Sequence, residues 1–428
     1  VTEAHLAHPC DVIVVGAGMV GAACAYYAAR AGLAVTVVDR GPVAGGTTGA
    51  GEGNLLVSDK EPGPELDLAL RSAQLWEELA AEELPGGGTL GQVAEYEAKG
   101  GLVVAADPAR LAALTAFAAG QTAAGVTARP VDGDGLRALE PHLARDQAGG
   151  VYYPQDAQVQ PALAAAHLLR QARLAGAALR LGENVVGIDT DKEGRVAGVR
   201  TDRGRIAAPA VINAAGTWGG ELAALAGVFL PVMPRRGFVL VTAPLPPLVR
   251  HKVYAADYVA DVASDSADLQ TSAVVEGTPS GPVLIGASRE RVGYDRTLSV
   301  PVLRRLAAQA VALFPRLAEV PAMRAYRGFR PYMPDHLPAI GEDPRRPGLF
   351  HACGHEGAGI GLAPATGFFI AQQLVGEKPD FDLAPFRPDR FEADAAAGGG
   401  VPYGGSETGP DISPEIGPES RLDGGADR

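Results

Sequence analysis

The chain opens on two short apolar runs separated by an apolar stretch of different period. Val12–Val15 is a run of four β-branched residues and predicts a strand buried on both faces. Met19–Ala31 is alanine-rich and apolar over the length of a helix, with Gly32 as its C-terminal stop. Leu33–Val38 is a second buried strand that ends in Asp39. Together these make a βαβ unit. Glu65–Leu84 has Leu68, Leu75 and Leu79 on one side and predicts an amphipathic helix, broken by Pro85 and the glycines Gly86, Gly87 and Gly88, where a first domain crossing is expected. Further strands are predicted at Gly101–Ala105, Ala178–Arg180, Val185–Asp189, Ile206–Asn213, Phe238–Thr242, Val283–Ala287 and Gly348–Cys353. Helices are predicted at Gln160–Ala175, Val302–Leu313 and Gly359–Val375.

Nucleotide-type segments recur at 11–60, 205–220 and 348–375, with strand-rich sequence between them. That order implies an α/β fold: a split, Rossmann-like dinucleotide domain interrupted by a second α+β domain built on a mixed sheet. The expected division is 10–89, 151–225 and 331–388 for the first domain and 90–150 and 226–330 for the second. Residues 1–9 read as a loose end. From Phe391 to residue 428, glycine, proline and acidic residues predict a disordered tail.

Charge narrows the function classes. The formal net charge of −13 disfavours nucleic acid as a partner, and an anionic substrate would need a local cation. The three cysteines, Cys10, Cys24 and Cys353, are too few and too widely spaced for a disulfide framework or a thiolate metal site, which suits a reducing cytoplasm. No metal cluster is expected, and the acidic stretch Asp261–Asp268 reads as a solvated loop. The uncharged stretch between Asp11 and Arg30 is broken by glycines and is not preceded by a basic segment, so neither a membrane span nor a secretory leader is expected.

The most specific motif is Gly16-Ala17-Gly18-Met19-Val20-Gly21, directly after a strand and at the start of a helix. Gly16 permits the tight turn, Gly18 lets backbone approach a pyrophosphate, and Gly21 lets helix pack on strand. Asp39 stands at the next strand end, where an acid holds ribose hydroxyls. A glycine-rich turn without a ligand is the alternative, and the strand–helix–strand context with Asp39 argues against it. Ala214-Ala215-Gly216-Thr217-Trp218 follows another strand and offers a second close approach of backbone to a cofactor.

With these motifs in order, the sequence resembles the D-amino-acid oxidase family of FAD-dependent oxidoreductases, over about residues 10–390. The residues that carry the resemblance are the 16–21 loop, Asp39, the Gly45–Asn54 loop, Asn213–Gly216, Gly328-Phe329-Arg330-Pro331 and Gly354-His355-Glu356-Gly357. The segments 54–60 and 286–290 are most similar to β subunits of proline, hydroxyproline or opine dehydrogenases. The resemblance implies FAD, and it implies cofactor contacts from Gly16, Ala17, Gly18, Met19, Val20, Gly21, Asp39, Arg40, Gly46, Thr47, Thr48, Gly53, Asn54, Val185, Ala215, Gly216, Trp218, Arg330, Gly354, His355, Glu356 and Gly357. It implies that Arg330 pairs with the substrate carboxylate, which suits a bidentate guanidinium fork. A structural salt bridge is the alternative, because Arg324, Arg327 and Arg330 recur every third residue. His355 is a candidate catalytic residue, as a base or as a side chain against the flavin ring. Tyr254 and Tyr258 are candidates to orient a carboxylate or amine, or aromatic filler; Tyr332 and His336 beside Arg330 are similarly open.

Two departures shape the expected chemistry. Gly328 stands where some family members attach flavin through cysteine, so FAD is expected to be non-covalent. No lysine occurs from Val253 to Glu377, where oxygen-using members place a cation near flavin N5. The leading expectation is therefore an amino-acid dehydrogenase, proline- or hydroxyproline-like, that moves hydride from the α-carbon to flavin N5 and gives an imine. The alternatives are an oxygen-using glycine, sarcosine or D-amino-acid oxidase that makes hydrogen peroxide, and a catalytic β subunit active only beside an electron-accepting α subunit and a small iron–sulfur protein.

Overall fold

The computed structural model describes residues 10–262 and 264–391. The loose end over residues 1–9 and the tail expected beyond Phe391 lie outside the described residues.

A six-stranded sheet organises the first half of the fold. Its order is Ala339–Glu342, Leu349–Cys353, Ala210–Asn213, Val12–Val15, Val35–Asp39 and Ala178–Leu181. All neighbours are parallel except the antiparallel edge strand Ala339–Glu342. The unbroken β-branched runs follow from burial on both faces. Val12, Val14, Val35 and Val37 join one core cluster with the helices Met19–Arg30, Pro161–Leu174 and Gly359–Leu374. Ile13, Val15 and Val38 point the other way, into a second cluster with Ile188, Val196, Val199 and Ile206 of a small three-stranded sheet. This is the period-two division that a strand imposes. The first and last of the three helices approach closely because Gly367 has no side chain: a Cβ there would lie 2.6 Å from the backbone of Ala23.

The stretch predicted as one strand over Ile206–Asn213 is two. Gly204–Ala207 is an edge of the three-stranded sheet, and Ala210–Asn213 is the parallel strand beside Val12–Val15. Pro209 lies between them; it has no N–H for a ladder, so one strand ends and another sheet is entered.

The second half is an eight-stranded mixed sheet in the order Ala322–Tyr332, Met233–Thr242, Val283–Arg289, Gln270–Gly277, Lys252–Ala255, Gly101–Ala105, Gly149–Tyr153 and Arg129–Val131. Lys252–Ala255 and Gly101–Ala105 run parallel, and the remaining neighbours antiparallel. One face packs Leu102, Phe238, Val253, Val275 and Ile285 against the helix Val300–Leu313. The architecture is therefore α/β, a Rossmann-like sheet with a separate mixed sheet. The acidic stretch expected as a loop begins as a short helix, Asp257–Val262. No helix among the described residues is long and apolar enough to cross a membrane.

Candidate active site

The turn after Val12–Val15 is built on missing side chains. Gly16 sits at φ 121, its N–H donates to the Val38 carbonyl at 2.8 Å, and a Cβ on it would lie 2.3 Å from the Ala214 carbonyl oxygen. A Cβ on Gly21 would meet the Gly16 carbonyl at 2.0 Å. These two glycines weld strand, turn and helix together. Gly18 differs: its Cβ position is 3.1 Å from Thr48 Oγ1, and it caps the helix Met19–Arg30 without any side-chain cap. Met19 N–H donates to Thr48 Oγ1 at 2.9 Å, while Gly16, Gly18 and Val20 stay partly exposed. Met19 itself is core.

Asp39 ends the adjacent strand. Its two carboxylate oxygens each accept one backbone N–H, from Ala17 and Gly41, both at 2.7 Å. A carboxylate has about four acceptor sites, so lone pairs remain for sugar hydroxyls. Glu183 N–H donates to the Asp39 carbonyl at 3.0 Å, which brings the strand starting at Val185 alongside. Arg40 stacks over Trp218 at 4.2 Å, Trp218 stacks on Tyr294 at 5.7 Å, and Gly46 lies under the Trp218 ring, 3.7 Å from its Cβ position. Ala215 N–H donates to Asn213 Oδ1, and Gly216 takes a left-handed φ of 58. Thr47 Oγ1 donates to the Phe329 carbonyl at 2.6 Å, pinning the 45–54 loop to the strand Ala322–Tyr332. Gly53, at φ 91, admits the Val159 carbonyl where a Cβ would stand.

These residues fit a dinucleotide. The helix start, where Met19 N–H is taken by Thr48 and Gly18 supplies no cap of its own, suits a phosphate at its partly exposed Gly18 and Val20, and the carboxylate for a ribose lies one strand away. The buried oxygens Asn54 Oδ1 and Thr217 Oγ1 have no protein partner among the described residues. From Ala325 to Arg330 the edge strand of the mixed sheet is half-exposed despite full pairing on its other side, a face free for a flat ligand.

Arg330 lies on that strand. One of its N–H groups donates to the Ser288 carbonyl at 2.8 Å, and it makes no ion pair with a described residue. Burial and the like charge of Arg289 press its pKa below the ordinary range, against the pull of Tyr258, Glu52 and Glu356. A guanidinium keeps its charge regardless. Arg289 is 4% exposed and its Cζ lies 5.0 Å from the centre of the Tyr258 ring. Tyr258 meets Tyr254 edge-on at 5.2 Å. Burial holds both phenols above their ordinary pKa, so both are neutral. Tyr254 is fully buried and bonds to Ser58 Oγ, which bonds to Asp156; Tyr258 instead lines a cavity of about 30 Å³ with Asn54, Asp59, Lys60, Trp76 and Gly357.

The turn Gly354–Gly357 precedes the helix Gly359–Leu374. Gly354 is at φ 84 over Met333 and Glu356 at φ 48. His355 is buried, bonded through Nε2 to Thr366 Oγ1 at 2.9 Å, and burial pushes its pKa down to about 3. Glu356 binds the buried Arg235 and, at 3.0 Å, His336, whose other ring nitrogen is 3.1 Å from Asp265. The Glu356 bond comes first in raising the His336 pKa, against burial. Burial favours the neutral Glu356 acid, but His336 and Arg235 outweigh it and hold its pKa low. Tyr332 also bonds to Asp265.

Several residues at the site lie in segments the sequence singles out, 45–54, 54–60 and 286–290, or elsewhere, and the sequence assigns them no role. Lys60 comes from the N-terminal third, outside the lysine-free stretch. Burial opposes its charge, but Asp59 at 2.7 Å and Glu65 hold its pKa above normal. Arg289, Glu52, Ser58 and Asp156 also lack a local pattern that assigns them one. Their one signal is polarity inside apolar stretches, as at Arg289, which ends the run from Val283. Cys24 and Cys353 are buried thiols pushed up to about 12 by burial. Among the described residues no cluster can hold a metal ion.

The model of the family described as FAD dependent oxidoreductase (DAO) matches residues 11–373. Glycine oxidase of Geobacillus kaustophilus is 31% identical over 385 residues, covering 89% of this chain and 97% of that protein. Its crystal structure superposes with a TM-score of 0.80, covering 90% of this chain and 99% of the other. A hydrogen cyanide synthase subunit, HcnC, of Pseudomonas aeruginosa is 30% identical, covering 90% of this chain and 97% of that protein. L-proline dehydrogenase from P. horikoshii has a TM-score of 0.81 over 91% of this chain and 99% of its own at 22% identity, a likeness of fold alone.

Proposed function

The chain belongs to the DAO family of FAD-dependent oxidoreductases, and from that premise we propose that it is an amino-acid oxidase of the glycine and D-amino-acid type. Its cofactor is FAD, and it oxidises an amino-acid-like CH–NH donor. The shift away from a proline-like dehydrogenase rests on the relatives: the full-length likeness at 30% identity or more is to glycine oxidase and HcnC, whereas the proline dehydrogenase shares the fold at 22%. The lysine-free stretch no longer weighs against an oxidase, because Lys60, Arg289 and Arg330 all bring positive charge to the region of Tyr258.

One observation carries the reading of the substrate: Arg330 is a guanidinium on the half-exposed strand with no acid paired to it among the described residues. An uncompensated charge in such a place is costly, and a substrate carboxylate relieves it. In this reading Arg330 grips the carboxylate in a fork. Tyr258 keeps its proton and donates a hydrogen bond to the bound carboxylate, and Tyr254, held by Ser58, braces Tyr258 edge-on. FAD, held by the Gly16–Gly21 turn and Asp39, would supply the two-electron acceptor for the hydride that leaves the substrate α-carbon. The product imine is released to water. His355 is neutral and committed to Thr366, so it supports the turn and moves no proton. The helix Gly359–Leu374 directs its positive end toward that turn. Gly328 leaves the cofactor unattached, since its Cβ position is already 2.7 Å from the Ala50 methyl.

Anaerobic mixing with glycine, sarcosine and D- and L-amino acids tests this reading. Bleaching of the flavin by glycine-type or D-amino acids, with stoichiometric peroxide in air, is the expected result. Full bleaching by proline without peroxide overturns it in favour of a dehydrogenase. HcnC is named as a subunit, which favours a second reading in which this chain works inside a hetero-oligomer; turnover at full rate by the isolated chain excludes it.

A further inference from the structure

Arg289 ends the strand Val283–Arg289 and is 4% exposed, yet its guanidinium has no ion pair and no side-chain hydrogen bond with any described residue; its Cζ lies 5.0 Å from the centre of the Tyr258 ring. Every other arginine within the mixed sheet that is buried to this degree is engaged. Arg235 binds Glu356, Gln270 and the Ser264 carbonyl, and Arg236 binds Glu290 and Asp295. Asp261 feels Arg289 but does not pair with it, and burial holds that carboxyl above its ordinary range. Glu356, which acts on Arg330, is taken by Arg235 and His336; the buried Glu52 also acts on Arg330 and on Tyr258 but makes no ion pair with Arg289 or Arg330 among the described residues. Arg289 and Arg330 act on each other as like charges, and the Ser288 carbonyl beside Arg289 is where Arg330 is fastened. Two guanidiniums without an ion pair among the described residues, Arg289 buried and Arg330 partly buried, thus lie in one region. A substrate with a single carboxylate satisfies one of them and leaves the other uncompensated, at the cost that buried charge carries.

We propose that Arg289 is a specificity-determining residue that takes a second carboxylate of the substrate, so that the preferred substrates are small amines bearing two carboxylates. The inference rests on the reading of Arg330 given above. The second carboxylate can stand on the side chain or on the nitrogen substituent; both present the same chemistry to Arg289.

The test uses the FAD-loaded full chain and two readouts. Perturbation of the visible flavin spectrum is titrated with succinate against butyrate. Anaerobic bleaching and kcat/KM are measured with glycine and sarcosine, with D- and L-aspartate, and with N-(carboxymethyl)glycine. We expect succinate to bind about tenfold or more tightly than butyrate, the size of one buried charge-assisted pair. We also expect one of the two dicarboxylate arms to exceed its monocarboxylate counterpart by a similar factor, mostly in KM; which arm wins assigns the position of the second carboxylate. In Arg289→Met and Arg289→Gln both ratios fall toward one, and Arg289→Lys restores part of them. Ratios at or below one in the unaltered protein, or ratios unmoved in Arg289→Met, overturn the proposal. If the variants lose FAD, the ratios of the unaltered protein decide alone. Failure of every amine to bleach the flavin defeats the functional reading instead, and the succinate titration still reports on Arg289.

Discussion

In the reading proposed here, the two sheets of this molecule meet a ligand in opposite ways. At the end of the parallel sheet, recognition is by backbone: Gly16, Gly18 and Gly21 remove side chains so that amides and carbonyls come close, and Asp39 is the acid there, itself fixed by two backbone N–H groups. At the mixed sheet, recognition is by long charged side chains, Arg330 and Arg289, with the phenols Tyr254 and Tyr258 beneath them. The first kind of site is a property of a short stretch of chain. The second is a property of the fold, because its members come from strands far apart in sequence. The first also tolerates no added atom, whereas the second tolerates substitution at the expense of affinity.

The sharpest way to break the comparison is Gly16→Ala. A methyl group at φ 121 and 2.3 Å from a carbonyl oxygen forces the turn open. We expect FAD affinity to fall by on the order of 100-fold or more, about 2.7 kcal/mol, read as the flavin-to-protein absorbance ratio after purification. Near-normal flavin content in that variant shows the turn to be dispensable. Arg330→Met, by contrast, should keep its flavin and lose roughly three orders of magnitude in kcat/KM, within the 2–5 kcal/mol typical of removing one partner of a buried charge pair. Equal loss of flavin and of turnover would erase the distinction drawn between the two sheets.

Asp156 gives a pH-dependent form of the same contrast. Burial pushes its carboxyl from 3.8 up to about 7, opposed by its bonds to Ser58 and the Val57 N–H. The folded chain keeps that proton to higher pH than the unfolded chain does. Its contribution to stability is therefore complete below about pH 4 and is lost as pH rises to about 7. Asp156→Asn should flatten the decline in melting temperature across that window; an unchanged slope means the proton is not there. The smallest effect is expected from Asp39→Asn, where one ribose contact weakens and FAD affinity falls about tenfold, measured by flavin fluorescence on dilution.

The same contrast separates what is legible in the amino-acid sequence from what is not. The βαβ unit is legible because apolar period and glycine spacing lie within one short stretch and each constrains its neighbours. The helices Gln160–Ala175 and Gly359–Val375 are legible for the same reason, and their predicted ends fall within a residue of the observed ones. The division of Ile206–Asn213 into two strands is hidden, since apolar residues either side of Pro209 look alike whichever sheet they serve. Arg289 lies in the 286–290 segment that carries part of the resemblance, but that likeness assigns it no role. Nothing local reveals that the sheet register leaves it without a partner. Lys60 is equally hidden, because the cation expected from one stretch of sequence is supplied by the fold from another.

The hydrogen bond from Thr47 to the Phe329 carbonyl spans 282 residues of sequence, and the parallel sheet is no more local. Val12–Val15, made first, sits beside Ala210–Asn213, which in turn waits for Leu349–Cys353. A nascent chain leaving the ribosome therefore carries its phosphate-binding turn long before the walls around it exist. Cofactor capture waits for that strand, and a chain cut short before Leu349 should yield colourless, aggregation-prone product.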